Sequence, residues 1–243
     1  MNRILFRCKE LVMKLEYHSS DPHHKFLKQQ LLAFGIAEKD LLEAWKTIKM
    51  VWASKFNERA FLATKKIGVT LHSVFMAVLV QRVIPAEYAY VIHTSNPTNG
   101  EDNEVYVESC LGMGEALVSK MPGQAFSFTY SKQDSKATVN AYPNKPMGLK
   151  AEGFIFRSDS NSEDLPGFAG AGLFDSYPMT GTQEFRISYH KERLVTDKQF
   201  RENFMNNIGQ IGMIIEKLYN ESQDIEGAYQ DGKFYVVQTR PQV

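Results

Sequence analysis

Near residue 70 the hydrophobic period of this sequence changes from that of a helix to that of a strand, and the change limits what the chain can fold into. From Asp40 to Lys66, Leu41, Trp45, Ile48, Trp52 and Phe56 recur every three or four residues, which predicts one helix stopped by Gly68. Beyond it, "SVFMAVLVQRVI", "YAYVIHT", "EVYVES", "QAFSFTY" and "ATVNAY" read as strands separated by turn chemistry such as "NPTNGEDN". "GFIF" and "QEFRISY" are two further strands. A second long helix is expected over 197–220, capped by Asp197, with Phe200, Phe204, Ile208, Ile211, Ile215 and Leu218 along one side. Strands that mostly follow one another, flanked by two helices, predict an α+β fold with antiparallel sheets. Residues 1–37 read as a peripheral segment, with "HSSDPHH" as a loop and "HKFLKQQLLAF" as a short helix, and residues 38–243 as the main domain.

Composition narrows the function more than the fold. With 28 basic and 28 acidic residues the formal net charge is zero, so bulk electrostatics favour neither nucleic acid nor an anionic membrane as partner. Cys8 and Cys110 are too few for a disulfide scaffold and lack CxxC spacing, which predicts reduced thiols in an intracellular protein. The longest apolar run, "VFMAVLV", is far short of the roughly 20 residues that span a bilayer. The start, "MNRILFRCKE", has no signal-peptide core, and its amphipathic, arginine-bearing character leaves both cytoplasm and plastid open. His18, His23 and His24 have no cysteine or carboxylate at ligand spacing and read as surface histidines.

Two segments carry the chemistry. In the closing hairpin, "DIEGAYQDGKFYVVQTRPQV", a three-residue loop Gln230-Asp231-Gly232 would put Glu226, Gln238 and Arg240 on one face. A carboxylate and an amide carbonyl as diagonal neighbours are hard oxygen donors suited to Mg²⁺, which takes its remaining ligands from water and phosphates. Arg240 adds a permanently charged fork for those phosphates. A two-residue loop would separate Glu226 from Gln238, and the alternative reading is then an edge hairpin with an exposed ion pair.

The other segment is "FRSDSNSEDLPGFAGAGLFDSYP". Arg157 is expected where a strand ends, a usual position for a binding residue. Gly167, Gly170 and Gly172, with Ala169 and Ala171, would let the backbone approach a ligand closely, while Glu163 and Asp164 cap and order the loop. A third segment is weaker: His93 ends a strand as a hydrogen-bonded structural histidine, and "GMGE", which ends in Glu115, opens a short helical stretch.

Together "WASKFNERA", "AVLVQRVIPAEYAYVIHTSNP", "GMGEALVS", "FRSDSNSEDLPGFAGAGLFDSYPM" and "QDIEGAYQDGKFYVVQTRPQ" resemble the C-terminal nucleotide-binding region of alpha-glucan, water dikinases, from about Leu41 to Val243. Wider relatives of that family are pyruvate, phosphate dikinase and phosphoenolpyruvate synthase. The resemblance implies an ATP-grasp-like domain, incomplete at its N-terminus, with ATP and Mg²⁺ as ligands. It also implies an enzyme that splits ATP to AMP and passes the β-phosphate through a histidine to a starch-like glucan, while water takes the γ-phosphate. Carried over by motif, Glu226 and Gln238 would hold Mg²⁺, Arg157 and Arg240 would bind the polyphosphate as catalytic groups, and Gln81, Glu115 and Ser158 would complete the ATP site. The family's phosphohistidine domain, its glycine-lysine segment and its starch-binding modules have no counterpart among these residues. A fragment or shortened relative, inactive without those parts, is therefore expected. Alternatives are a pyruvate-type dikinase fragment and a non-catalytic nucleotide-binding protein.

Overall fold

The computed structural model describes residues 2–118, 121–165, 168–169 and 172–242. Its helices are α1 Asn2–Met13, α2 Pro22–Phe34, α3 Leu41–Ser54, α4 Glu58–Lys66, α5 Glu115–Val118, α6 Arg193–Thr196 and α7 Lys198–Tyr219. Its strands are β1 Met76–Arg82, β2 Tyr88–His93, β3 Glu104–Leu111, β4 Phe126–Ser131, β5 Lys136–Ala141, β6 Met147–Lys150 and β7 Phe154–Ser160. They continue as β8 Asp164–Leu165, β9 Phe168–Ala169, β10 Tyr177–Pro178, β11 Gln183–Arg186, β12 Gln223–Gln230 and β13 Lys233–Pro241. This is the expected α+β arrangement of antiparallel sheets with helices against them. The chain divides into two compact units, one of Met1–Val83 with Gly153–Gly181 and one of Ile84–Glu152 with Thr182–Val243. No described helix is long and apolar enough to cross a membrane.

In the first unit, β1, β7 and β10 form an antiparallel sheet with β7 central. One face of that sheet, Val78, Val80 and Phe156, packs with Trp45, Ile48 and Val51 of α3, as the helical stripe predicts. The expected single helix over 40–66 is instead two. Lys55, Phe56 and Asn57 close the end of α3 with tight i→i−3 bonds, and Asn57 then adopts an extended backbone that starts α4. The Asn57 amide donates to Asp175 at 2.7 Å, which pins the break. Phe56 keeps the apolar period across it, so periodicity alone does not see it. Residues 1–37 are likewise more than a loop and one helix. α1 is an additional helix, and Leu5, Leu31 and Ile36 are buried. His24 stacks on Tyr17 at 5.0 Å and meets Trp45 edge-on at 4.9 Å, a packing role for a histidine expected on the surface.

In the second unit, six strands run in the order β13-β12-β2-β3-β4-β5, and α7 lies across one face. That face is built from Tyr88, Tyr90, Ile92, Val105, Val107, Phe126, Phe128 and Ile225, alternate residues of their strands. Helix α7 begins as expected, with the Asp197 carboxylate accepting from the Phe200 N–H at 3.0 Å. Its buried side is Phe204, Met205, Ile208, Gly209 and Gly212. Leu218, expected on the buried stripe, is 75% exposed. Gly209 permits close approach, since a Cβ there would lie 2.3 Å from the Tyr130 ring. The strand in "QEFRISY" pairs with β6, an element the sequence reading leaves out, and the Phe185 ring covers Gly148.

Candidate functional site

The face of the six-stranded sheet away from α7 is polar, and the closing hairpin determines how. Its loop is Asp231-Gly232, both residues with positive φ (49° and 78°), and Gln230 pairs with Lys233. The expected three-residue loop is therefore incorrect. Asp-Gly accepts the left-handed backbone of a two-residue turn whose twist matches the strands. On that register alone Gln238 and Arg240 would face the α7 side. A β-bulge between Glu226 and Gly227 reverses this: Gly227 pairs with Val236, and Glu226 with Gln238, so that Val237 is the extra residue. One extra residue turns every later side chain of β13 to the other face. Glu226 and Gln238 thus stand directly opposite each other, nearer than the diagonal placement expected.

Two cross-strand rows follow from the register. The first runs Gln238, Glu226, Val91, Glu108 and Ser127 over β13, β12, β2, β3 and β4. Beside it run Arg240, Asp224, His93, Tyr106 and Thr129. Residues paired directly have Cβ atoms roughly 4.5–5.5 Å apart. Glu226 and Gln238 are therefore direct cross-strand neighbours. Among the described residues no three His, Cys, Asp or Glu side chains form a metal cluster.

Arg240 does not stand as an open fork. Its Nε and Nη2 donate to Oδ2 of Asp224 at 2.9 and 2.6 Å. The two side chains are only 23% and 15% exposed, so the ion pair belongs to the sheet face and is not the solvated edge pair of the alternative reading. Asp224 escaped the sequence reading, although its parity with Glu226 on β12 could have revealed it. His93 lies on β2 between Asp224 and Tyr106, but its Nδ1 is buried without a hydrogen-bond partner. That nitrogen lacks the hydrogen bond expected of a structural histidine. Glu115 opens α5 and is exposed. Cys110 is buried, its thiol donating to the Met113 carbonyl at 3.4 Å, and burial pushes its pKa up to about 12.

In the first unit Arg157 is not at a strand end. It lies within β7, which runs on to Ser160, and pairs with Leu79 of β1. Its Nη1 reaches Oε1 of Gln81 at 3.5 Å, so two of the expected residues do meet on the face of this sheet away from α3. Ser158 lies on the other face, by strand alternation, and donates to Glu163 at 2.6 Å. Glu163 also accepts from the Ser160 N–H at 3.3 Å, and so orders the segment as expected. Of the glycine-rich loop, Gly167, Gly170 and Ala171 lie outside the described residues, as do the side chains of Asp164 and Ala169. Gly172 has the left-handed φ of 68° that glycine favours.

Comparison with known proteins places the chain in a family. A family profile described as "Pyruvate phosphate dikinase, AMP/ATP-binding domain" matches residues 22–243. The chain is 52% identical over 203 residues to "Alpha-glucan water dikinase, chloroplastic" of Solanum tuberosum, covering 83% of this chain and 14% of that protein. "Alpha-glucan water dikinase 2" of Arabidopsis thaliana is 48% identical over 202 residues, 82% of this chain and 16% of its own length. A "Probable phosphoenolpyruvate synthase" of Methanocaldococcus jannaschii is 28% identical over 245 residues, 99% of this chain and 18% of its own. The chain thus spans about 14 to 18% of the length of these relatives. With residues 22–243 matched, it belongs to the pyruvate phosphate dikinase AMP/ATP-binding domain family.

Proposed function

We propose that the chain is the ATP-binding part of an alpha-glucan, water dikinase, of ATP-grasp-like fold. In that reaction ATP yields AMP. The β-phosphoryl group passes to a histidine and then to a glucosyl hydroxyl, and the γ-phosphoryl group passes to water. Glu226 and Gln238 hold Mg²⁺, which when bound neutralises and orients phosphate oxygens. Arg157 and Arg240 bind the polyphosphate, Arg240 through the part of its guanidinium that Asp224 leaves uncovered. Gln81, Glu115 and Ser158 complete the nucleotide contacts, although the place of Ser158 on β7 makes it the weakest of the three. The observation that carries this reading is the bulge in β13. It pairs Glu226 directly with Gln238 across the strands, which supports a shared site for the two. A plastid location is supported by the "chloroplastic" relatives.

A pyruvate-type dikinase is the second reading, favoured by the 28% identity to the phosphoenolpyruvate synthase relative. Incubating the whole gene product with ATP labelled at the β-phosphate, and with soluble α-glucan or pyruvate, separates the two. Label on glucan is expected. Label only in phosphoenolpyruvate would replace this reading with the second.

A further inference from the structure

The polar sheet face extends beyond the nucleotide residues, and its far end carries chemistry that they do not use. Across β3, β4 and β5, Tyr106 pairs with Thr129 and Thr129 with Thr138. With Ser127, Asn140 and Gln124 they line an open depression of about 670 Å³. Its groups are hydroxyls and amides. The two formal charges at its rim, Glu104 and Lys136, cancel, and Glu104 is already bonded by the amides of Asn96 (2.7 Å) and Asn99 (3.1 Å).

β5 is the edge of the sheet, and Lys136 at its start is the one charged residue along it. An anionic ligand would find Lys136 as the one cation among the lining residues. Thr129 already accepts from the Asn140 amide at 2.8 Å and Thr98 donates to Asn96 at 2.8 Å, and an apolar ligand would cut such polar groups off from water, at a cost. A neutral polyhydroxylated chain suits both features, because its hydroxyls and those of Ser and Thr each donate and accept. The Tyr106 ring offers an apolar surface, and its hydroxyl is steadied by donating to Glu108 at 3.2 Å. Ser127 and Glu226 share a row, three strand spacings apart, which is roughly 14 Å. We propose that this depression binds a run of glucosyl units of the α-glucan acceptor, an inference that rests on the glucan dikinase reading above.

The test uses the whole gene product with soluble maltodextrin as acceptor. Thr129→Val with Thr138→Val removes two hydroxyls while keeping volume and β-branching, so the strands retain their preference. KM for maltodextrin is expected to rise about tenfold, with kcat and the rate of labelling of the protein by β-labelled ATP unchanged. Thr138→Val alone, at an exposed position, guards against a folding defect and is expected to raise KM about threefold. An unchanged KM in a product that does phosphorylate maltodextrin would overturn this inference and leave the dikinase reading standing. A starting protein that labels itself but no glucan would overturn both.

Discussion

Arg157 shows at the scale of a single residue what sequence could and could not say. Its type pointed to phosphate, and the Gln81 amide beside it at 3.5 Å makes a polar pair on one face of the β1–β7 sheet. Its place within β7 was not legible, because "GFIF" ends in apolar residues while "RSDS" continues the strand as polar ones paired to β1. Arg157→Lys is expected to weaken nucleotide binding about tenfold despite conserving charge, since an ammonium cannot reproduce a planar fork. Phe154 packs on Phe34 at 5.6 Å, so Phe154→Leu is expected to lower the melting temperature with little change in affinity. Equal losses of affinity in the two variants would refute the assignment. The cysteines make a second case. Burial raises the Cys110 pKa to about 12, so at pH 8 almost no thiolate forms there, whereas Cys8 is half-exposed. Alkylation of the native protein at pH 8 is expected to modify Cys8 within minutes and to leave Cys110 intact until the protein unfolds. Rapid loss of both thiols would contradict the packing around β3.

At the scale of elements, hydrophobic period found most helices and strands, and it failed where one residue changes the phase. The break between α3 and α4 hides behind Phe56, and only Asn57, a turn-former, marked it. The bulge in β13 is the more instructive case. A two-residue Asp-Gly loop was the stronger local signal, and without the bulge it separates Glu226 from Gln238. The turn chemistry and the function of the hairpin therefore pulled apart in the sequence, and Val237 reconciles them. Deleting Val237 is expected to restore regular pairing, turn Gln238 and Arg240 toward the α7 side and abolish nucleotide binding. Binding at the original strength in the deletion variant would contradict that role. Gly227 holds the bulge from β12, and a Cβ there would lie 2.2 Å from the Tyr90 ring. Gly227→Ala should therefore destabilise the protein by about 1–3 kcal/mol, read as a lower denaturant midpoint at unchanged slope. A midpoint equal to the parent's would show that Tyr90 can move aside freely.

For the whole molecule, the family and the α+β class were legible from motifs and period, because those depend on many residues at once. The division into two units was not, since each is assembled from segments distant in sequence. In the proposed function these residues bind ATP, and none of their histidines is assigned the phosphate-carrying role. A nucleophile must come within about 3–3.5 Å of phosphorus, in line with the leaving group, and the Nδ1 of His93 is buried. The isolated chain is accordingly expected to bind MgATP weakly and to acquire no acid-labile label from β-labelled ATP. Label mapped to His93 would place the shuttle within it. The claim on which everything else rests is that Glu226 and Gln238 form a metal–polyphosphate site. Its most direct test is calorimetric titration of the chain with ATP, with and without Mg²⁺, in the parent and in Glu226→Gln, which removes a charge without removing volume. Mg²⁺ is expected to strengthen binding to the parent about tenfold or more, and this gain to vanish in the variant while the melting temperature stays the same. An equal Mg²⁺-dependent gain in both proteins would contradict that claim.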